Sequence, residues 1–145
     1  MSEANIYFFS EDVEYEINNI DLYLVQISQI ADKESVKIDL LSYIFCSDPY
    51  LLEINKKYLS HDYFTDIITF QSSEVKGVIG GDIFISIDRA KENAIDYKVD
   101  FKVEIKRLLI HGLMHLIGYN DGTAEEKLIM RQKEDYYLSL WPQDK

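Results

Sequence analysis

The stretch from Asp100 to Gly118 constrains this chain more than any other. Phe101, Ile105, Leu108 and Leu109 recur at steps of three and four, the spacing of one face of an α-helix. Asp100 is placed to open that helix, and Gly118 to stop it. The turn Leu108-Leu109-Ile110 is so apolar that the next turn of the helix must sit beside a core. The remainder of the chain supplies the partners. Ile6 to Phe9 reads as a short strand. Val36, Ile38 and Leu40 alternate with charged residues and lead an apolar run to Phe45, a second strand. Thr65 to Phe70 and Val78 to Ile87 read as a third and a fourth, the last with Ile83, Ile85 and Ile87 on one face.

Helices are predicted between these strands. Ile17, Ile20, Leu24, Ile27 and Ala31 mark one. Asp48-Pro49 starts a second carrying Leu51, Ile54 and Tyr58, with Asp48 as its cap. Asp88 caps a third containing Ala90, Ala94 and Tyr97. Thr123 and Glu126 form a capping box for a last helix ending near Trp141-Pro142. The expected fold is α+β: a mixed four-stranded sheet packed with about five helices. With 145 residues and no repeat or linker, residues 1–145 are read as one domain.

The two histidines that end the apolar helix carry the chemistry. His111 and His115 are four residues apart, so both lie on one helix face and can reach one ion. Gly118 lets the chain leave in a left-handed turn, which brings Asp121 to a third position. Three protein ligands leave a fourth place for water, the mark of catalytic rather than structural zinc. The cofactor expected is one Zn2+ held by His111, His115 and Asp121. Zincin proteases place a glutamate base immediately after the first histidine, where this chain has Gly112.

Charge and composition bear on the same question. The formal net charge of −11 argues against simple electrostatic adhesion to nucleic acid, although a substrate meets only one face. Lys98, Lys102, Lys106 and Arg107 cluster before the histidines, with Arg89 and Lys91 nearby in sequence. Cys46, the only cysteine, reads as a buried, inert thiol at a strand end in a reducing compartment. No apolar run approaches the roughly 20 residues that span a bilayer. Met1 to Ile6 lacks the pattern of a signal peptide, so a cytoplasmic location is expected.

The segment His111-Gly112-Leu113-Met114-His115-Leu116-Ile117-Gly118-Tyr119-Asn120-Asp121 resembles the His-Gly-x-x-His-Leu-x-Gly-Tyr-Asp-His pattern of the YbeY endoribonucleases. Asn55-x-x-Tyr58, followed by Thr65-Asp66-Ile67-Ile68-Thr69-Phe70, and then Gly81-Asp82-Ile83, are similar to two further stretches of that family. The resemblance implies a zincin-like metal helix and a metal-dependent, single-strand-specific endoribonuclease. It implies action in rRNA 3′-end maturation and ribosome quality control, with rRNA and the small ribosomal subunit as partners. Asp121 stands where the family usually has a third histidine, which makes the ion a weaker Lewis acid. Leu59 stands where the family has an arginine, and a leucine cannot clamp a phosphate. Lys56 or Lys57 is the expected substitute.

Other residues have plainer expected roles. Asp66 shapes the turn into its strand, and Asp82 orients a ligand histidine or supports the sheet edge. Glu104 and Arg107 share the histidine face, either with one of them as a partner of a ligand or in a surface salt bridge. His61 is an exposed loop residue. Two other functions fit the residues: a metzincin-like metallopeptidase, with Met130 as its methionine turn, and a non-catalytic ribosome-assembly factor with a structural metal.

Overall fold

The computed structural model describes residues 5–142, so the reading of Met1 to Ile6 falls mostly outside it. The elements, in chain order, are β1 (Ile6–Ser10), α1 (Ile20–Lys33), β2 (Lys37–Cys46), α2 (Asp48–Leu59) and β3 (Ile67–Gln71). They continue with β4 (Val78–Ser86), α3 (Ile87–Tyr97), α4 (Phe101–Ile117) and α5 (Ala124–Leu140). The strand order is β1-β2-β4-β3, with β1, β2 and β4 parallel and β3 antiparallel to β4 at one edge. The α+β class, the mixed four-stranded sheet and the five helices are those the sequence predicts.

The core lies between the sheet and α1, α4 and α5. Leu41, Tyr43, Phe45, Ile83 and Ile85 alternate along β2 and β4 and are buried. Ile105, Leu109 and Leu113 of α4 meet them. Gly112 is what brings the helix so close. A Cβ there would lie 2.8 Å from Ile83 Cγ2 and 2.9 Å from its Cδ1. The Tyr43 hydroxyl reaches across to donate to the Leu109 carbonyl at 3.0 Å. No helix among the described residues is long and apolar enough to cross a membrane.

β3 runs Ile67–Gln71 rather than Thr65 to Phe70, and three helix starts differ from the sequence reading. Ile17 precedes α1 rather than opening it, although it still packs on the core. Ser47, not Asp48, caps α2, and Ser86, not Asp88, caps α3. The starts of these helices share their polar groups, which draws the aspartates away. Asp48 accepts from Arg89 Nε at 3.0 Å and from the Ser86 hydroxyl, while Asp88 accepts from the Asp48 N–H at 2.8 Å. Ile87 is thereby the first residue of α3 rather than the last of β4. The Thr123–Glu126 capping box is present as read. Cys46 ends β2 fully buried, and that burial, with nearby carboxylates, pushes its thiol up to about 12.

Candidate metal centre

His111 and His115 project from the last two turns of α4, with ring centroids 4.7 Å apart and planes at 72°. Gly118 follows with φ 127°, a conformation that L side chains rarely adopt. Its N–H and that of Tyr119 both return to the Met114 carbonyl, which closes the helix. Tyr119 then anchors the exit by donating to Glu34 Oε1 at 2.7 Å. Glu34 also accepts from Lys133 Nζ at 2.9 Å and from the Tyr137 hydroxyl. Burial pushes this carboxyl up, but the two phenols and the ammonium outweigh it and hold Glu34 below its ordinary value. The chain so fixed turns back over the helix end. Asp121 Oδ2 comes to 3.4 Å from His111 Nε2 and 3.4 Å from His115 Nε2. The three ligand atoms all lie within 4.8 Å of one another, an arrangement able to hold a metal ion.

Glu134 of α5, which the sequence pattern does not single out, sets the chemistry of His111. Its Oε2 lies 2.7 Å from His111 Nδ1, and its Oε1 accepts from Arg107 Nη1 at 2.9 Å. Arg107 also donates to Asp135 at 3.0 Å. A carboxylate on Nδ1 selects the tautomer whose Nε2 lone pair faces Asp121. Burial pushes His111 down. The hydrogen bond and charge of Glu134, backed by Asp121 and Asp66, outweigh it and hold the imidazole above its ordinary value. Met130, Glu134 and Tyr137 form the buried stripe of α5. A carboxylate in such a stripe is the one signal the sequence offers for Glu134.

The site opens into a cavity of about 560 Å³ between β3, α3, α4 and α5. On the α3 side, Asn93 Nδ2 donates to Asp66 Oδ2 at 3.0 Å and to Glu104 Oε2 at 3.1 Å. Glu104 is 2% exposed, and its Oε1 has no hydrogen-bond partner. Burial therefore holds it above the ordinary carboxylate value, against the opposing pull of Asn93 and Arg107. On the α5 side stand Lys127, Met130 and Arg131.

Of the flanking residues, Arg107 is the one that supports a ligand, acting through Glu134, whereas Glu104 faces the cavity beside Asn93. The Asp66 carbonyl accepts from the Ser86 N–H, which extends the β3–β4 pairing, and its side chain lines the cavity. Asp82 does not orient a histidine. It is exposed, on the face of β4 opposite Ile83, between Ser42 and Phe70 in register. His61 is an exposed loop residue as read, bonded to the Tyr63 hydroxyl. Met130 sits inside α5 and is no turn. The basic cluster is divided: Arg107 is paired, and buried Lys106 lies over the Tyr23 and Trp141 rings. Lys56 pairs with Glu53 and Asp62, and Lys57 lies over the Tyr58 ring; neither lines the cavity.

Comparison with known proteins settles the lineage. The family model "Endoribonuclease YbeY" matches residues 5–141. The chain belongs to the YbeY endoribonuclease family. An endoribonuclease YbeY of Cytophaga hutchinsonii is 54% identical over 140 residues, covering 97% of this chain and 98% of that one. One of Amoebophilus asiaticus is 43% identical over 138 residues, covering 95% and 94%. A solution structure from Thermotoga maritima, 24% identical, superposes with a TM-score of 0.61 over 92% of this chain and 87% of that one, which shows the shared fold.

Proposed function

We propose that this chain is a cytoplasmic, zinc-dependent YbeY endoribonuclease. It cleaves single-stranded RNA in rRNA 3′-end maturation and ribosome quality control, with rRNA on the small ribosomal subunit as its partner. Residues 1–145 form one hydrolase domain in this reading. Membership of the YbeY family supports the activity, and the convergence of His111, His115 and Asp121 at the cavity carries the mechanism.

The donor set fits zinc on two counts. Ligands about 2.0–2.1 Å from a tetrahedral ion stand about 3.3–3.4 Å apart, and both Nε2···Oδ2 separations are 3.4 Å. The Glu134 bond to Nδ1 also leaves the His111 Nε2 lone pair available to an ion. A bound zinc ion supplies Lewis acidity toward a phosphoryl oxygen and lowers the pKa of water. The chain's own residues do the rest. Glu134 orients His111, and Arg107 holds Glu134. Asp121, 44% exposed at its side chain, leaves the solvent side of the site open to substrate. A side chain at Gly112 would run into Ile83 and Ile67, so the position of the zincin base is closed and the metallopeptidase reading is not favoured.

The test is metal analysis of the purified protein together with cleavage of a single-stranded rRNA fragment before and after chelation. The expected result is one zinc per chain, RNA cleavage lost on chelation and restored by zinc, and intact casein in a parallel incubation. Asp121→Asn should lower zinc affinity, while Asp121→His should keep it. RNA cleavage undiminished in metal-stripped protein would overturn the reading. Stoichiometric zinc without cleavage would favour the assembly factor with a structural metal.

A further inference from the structure

The basic residues at the end of α2 stay out of the cavity. Lys56 is engaged by Glu53 and Asp62, Lys57 by the Tyr58 ring, and neither reaches the cavity. A cavity for an RNA backbone still needs cations, the more so in a chain of net charge −11. Three basic side chains line it: Arg107, Lys127 and Arg131. Arg107 is committed to Glu134 and Asp135.

The other two are four residues apart on α5, one turn above the other on the same face. Both are exposed. No ion pair or hydrogen bond engages the Lys127 ammonium among the described residues. Arg131 has only a long contact, 3.9 Å, to Glu134 Oε1. That oxygen already accepts from Arg107 at 2.9 Å, and Oε2 is taken by His111. The guanidinium of Arg131 therefore keeps its donor fork available, a shape suited to the two oxygens of a phosphodiester. The cavity's carboxylates do not compete for it. Glu134 already has a close partner at each oxygen, Asp66 and Glu104 share the Asn93 amide, and Asp121 faces the histidines.

We propose that Lys127 and Arg131 of α5 are the phosphate clamp of this enzyme. They hold the backbone of single-stranded RNA across the metal site from the wall opposite α3. This rests on the endoribonuclease reading. It goes further in naming the residues of α5 that make the RNA contact.

The test is binding of a short, cleavage-resistant phosphorothioate RNA oligomer by fluorescence anisotropy across a salt series. Cleavage of the ordinary oligomer and zinc content are measured in parallel. Arg131→Ala should weaken binding about tenfold at low salt, as expected for loss of a charged hydrogen-bonding group. The slope of log affinity against log salt should fall by about 0.7 for each phosphate contact removed, hence by about 1.4 in Lys127→Ala/Arg131→Ala. Arg131→Lys should restore the slope but not the full affinity, since an ammonium lacks the fork. Lys91→Ala, which removes an exposed cation outside the cavity, should change neither. Zinc content should stay at the parent value throughout. KM should rise far more than kcat falls. Parent-like affinity and slope in the double variant would overturn the clamp, as would failure of the parent to bind RNA. RNA that binds with the expected losses but is not cleaved by the parent would instead overturn the endoribonuclease reading and leave the clamp standing.

Discussion

The two faces of α4 are made by opposite rules. Toward the sheet the helix presents Ile105, Leu109, Gly112 and Leu113, packed so closely that a single added carbon at Gly112 would strike Ile83. Toward α5 and the cavity it presents Glu104, Arg107, His111 and His115, each with a polar environment of its own. The first face is fixed by shape and tolerates no addition. The second is fixed by charge and hydrogen bonds, and stays open to solvent. The contrast teaches that fold and chemistry sit back to back on one helix, so substitutions one residue apart should fail in different ways.

The largest effect is expected from Gly112→Glu. It restores the sequence of a zincin base, yet its side chain would be driven into Ile83 and Ile67 and bury a charge among them. We expect a loss above about 4 kcal/mol or no soluble protein at all, and no casein cleavage. A stable, folded Gly112→Glu protein in a urea melt would erase the distinction between the faces.

Leu113→Ala and His115→Ala sharpen it. The former should cost about 2–5 kcal/mol of stability, with zinc stoichiometry kept in the folded fraction. The latter should lose stoichiometric zinc and shift the metal-free protein by about 1 kcal/mol or less. Melts of the metal-free proteins, set beside metal content, separate the two. Equal destabilisation by both would show that the histidine face is also a packing face.

Legibility in the sequence divides along the same line. Helix periodicity exposes the sheet-facing side of α4. Local spacing brings Gly118 and Asp121 into the site, because a turn and a three-residue reach are decided by neighbours. Glu134 is invisible to that logic. It lies 23 residues beyond His111, and only the docking of α5 on α4 makes it a partner. The caps of α2 and α3 escape it for the same reason: Asp48 and Asp88 have the right chemistry, but tertiary partners claim them.

Glu134→Gln probes that long-range contact. It keeps an acceptor for Nδ1 but removes the charge shared with Arg107, so zinc affinity should fall about 10–100-fold in competition with a chelator. Unchanged affinity would make Glu134 a packing residue.

The smallest effect concerns Glu104. Its folded pKa is raised above the unfolded value, so its favourable contribution is complete below the unfolded value near 4.5 and is lost as pH rises through the folded value. Glu104→Gln stays neutral. The difference in melting temperature, variant minus parent, should therefore grow as pH rises from about 4.5 toward neutrality in metal-free protein. A flat difference across that window would place Glu104 with the satisfied carboxylates, of which Glu34 is the example.

Asp121 stands on the joint between two helices that end and begin by their own devices, Gly118 closing α4 and the Thr123 box opening α5. An ion held there would act as a strap across the joint. Its binding free energy and the docking of α5 would then be one thermodynamic quantity, worth about 2.7 kcal/mol at a free zinc concentration a hundred times Kd. Glu134 and the Lys127–Arg131 stripe ride on the strapped helix. Zinc supply would thus govern how firmly the far wall of the cavity is held in place.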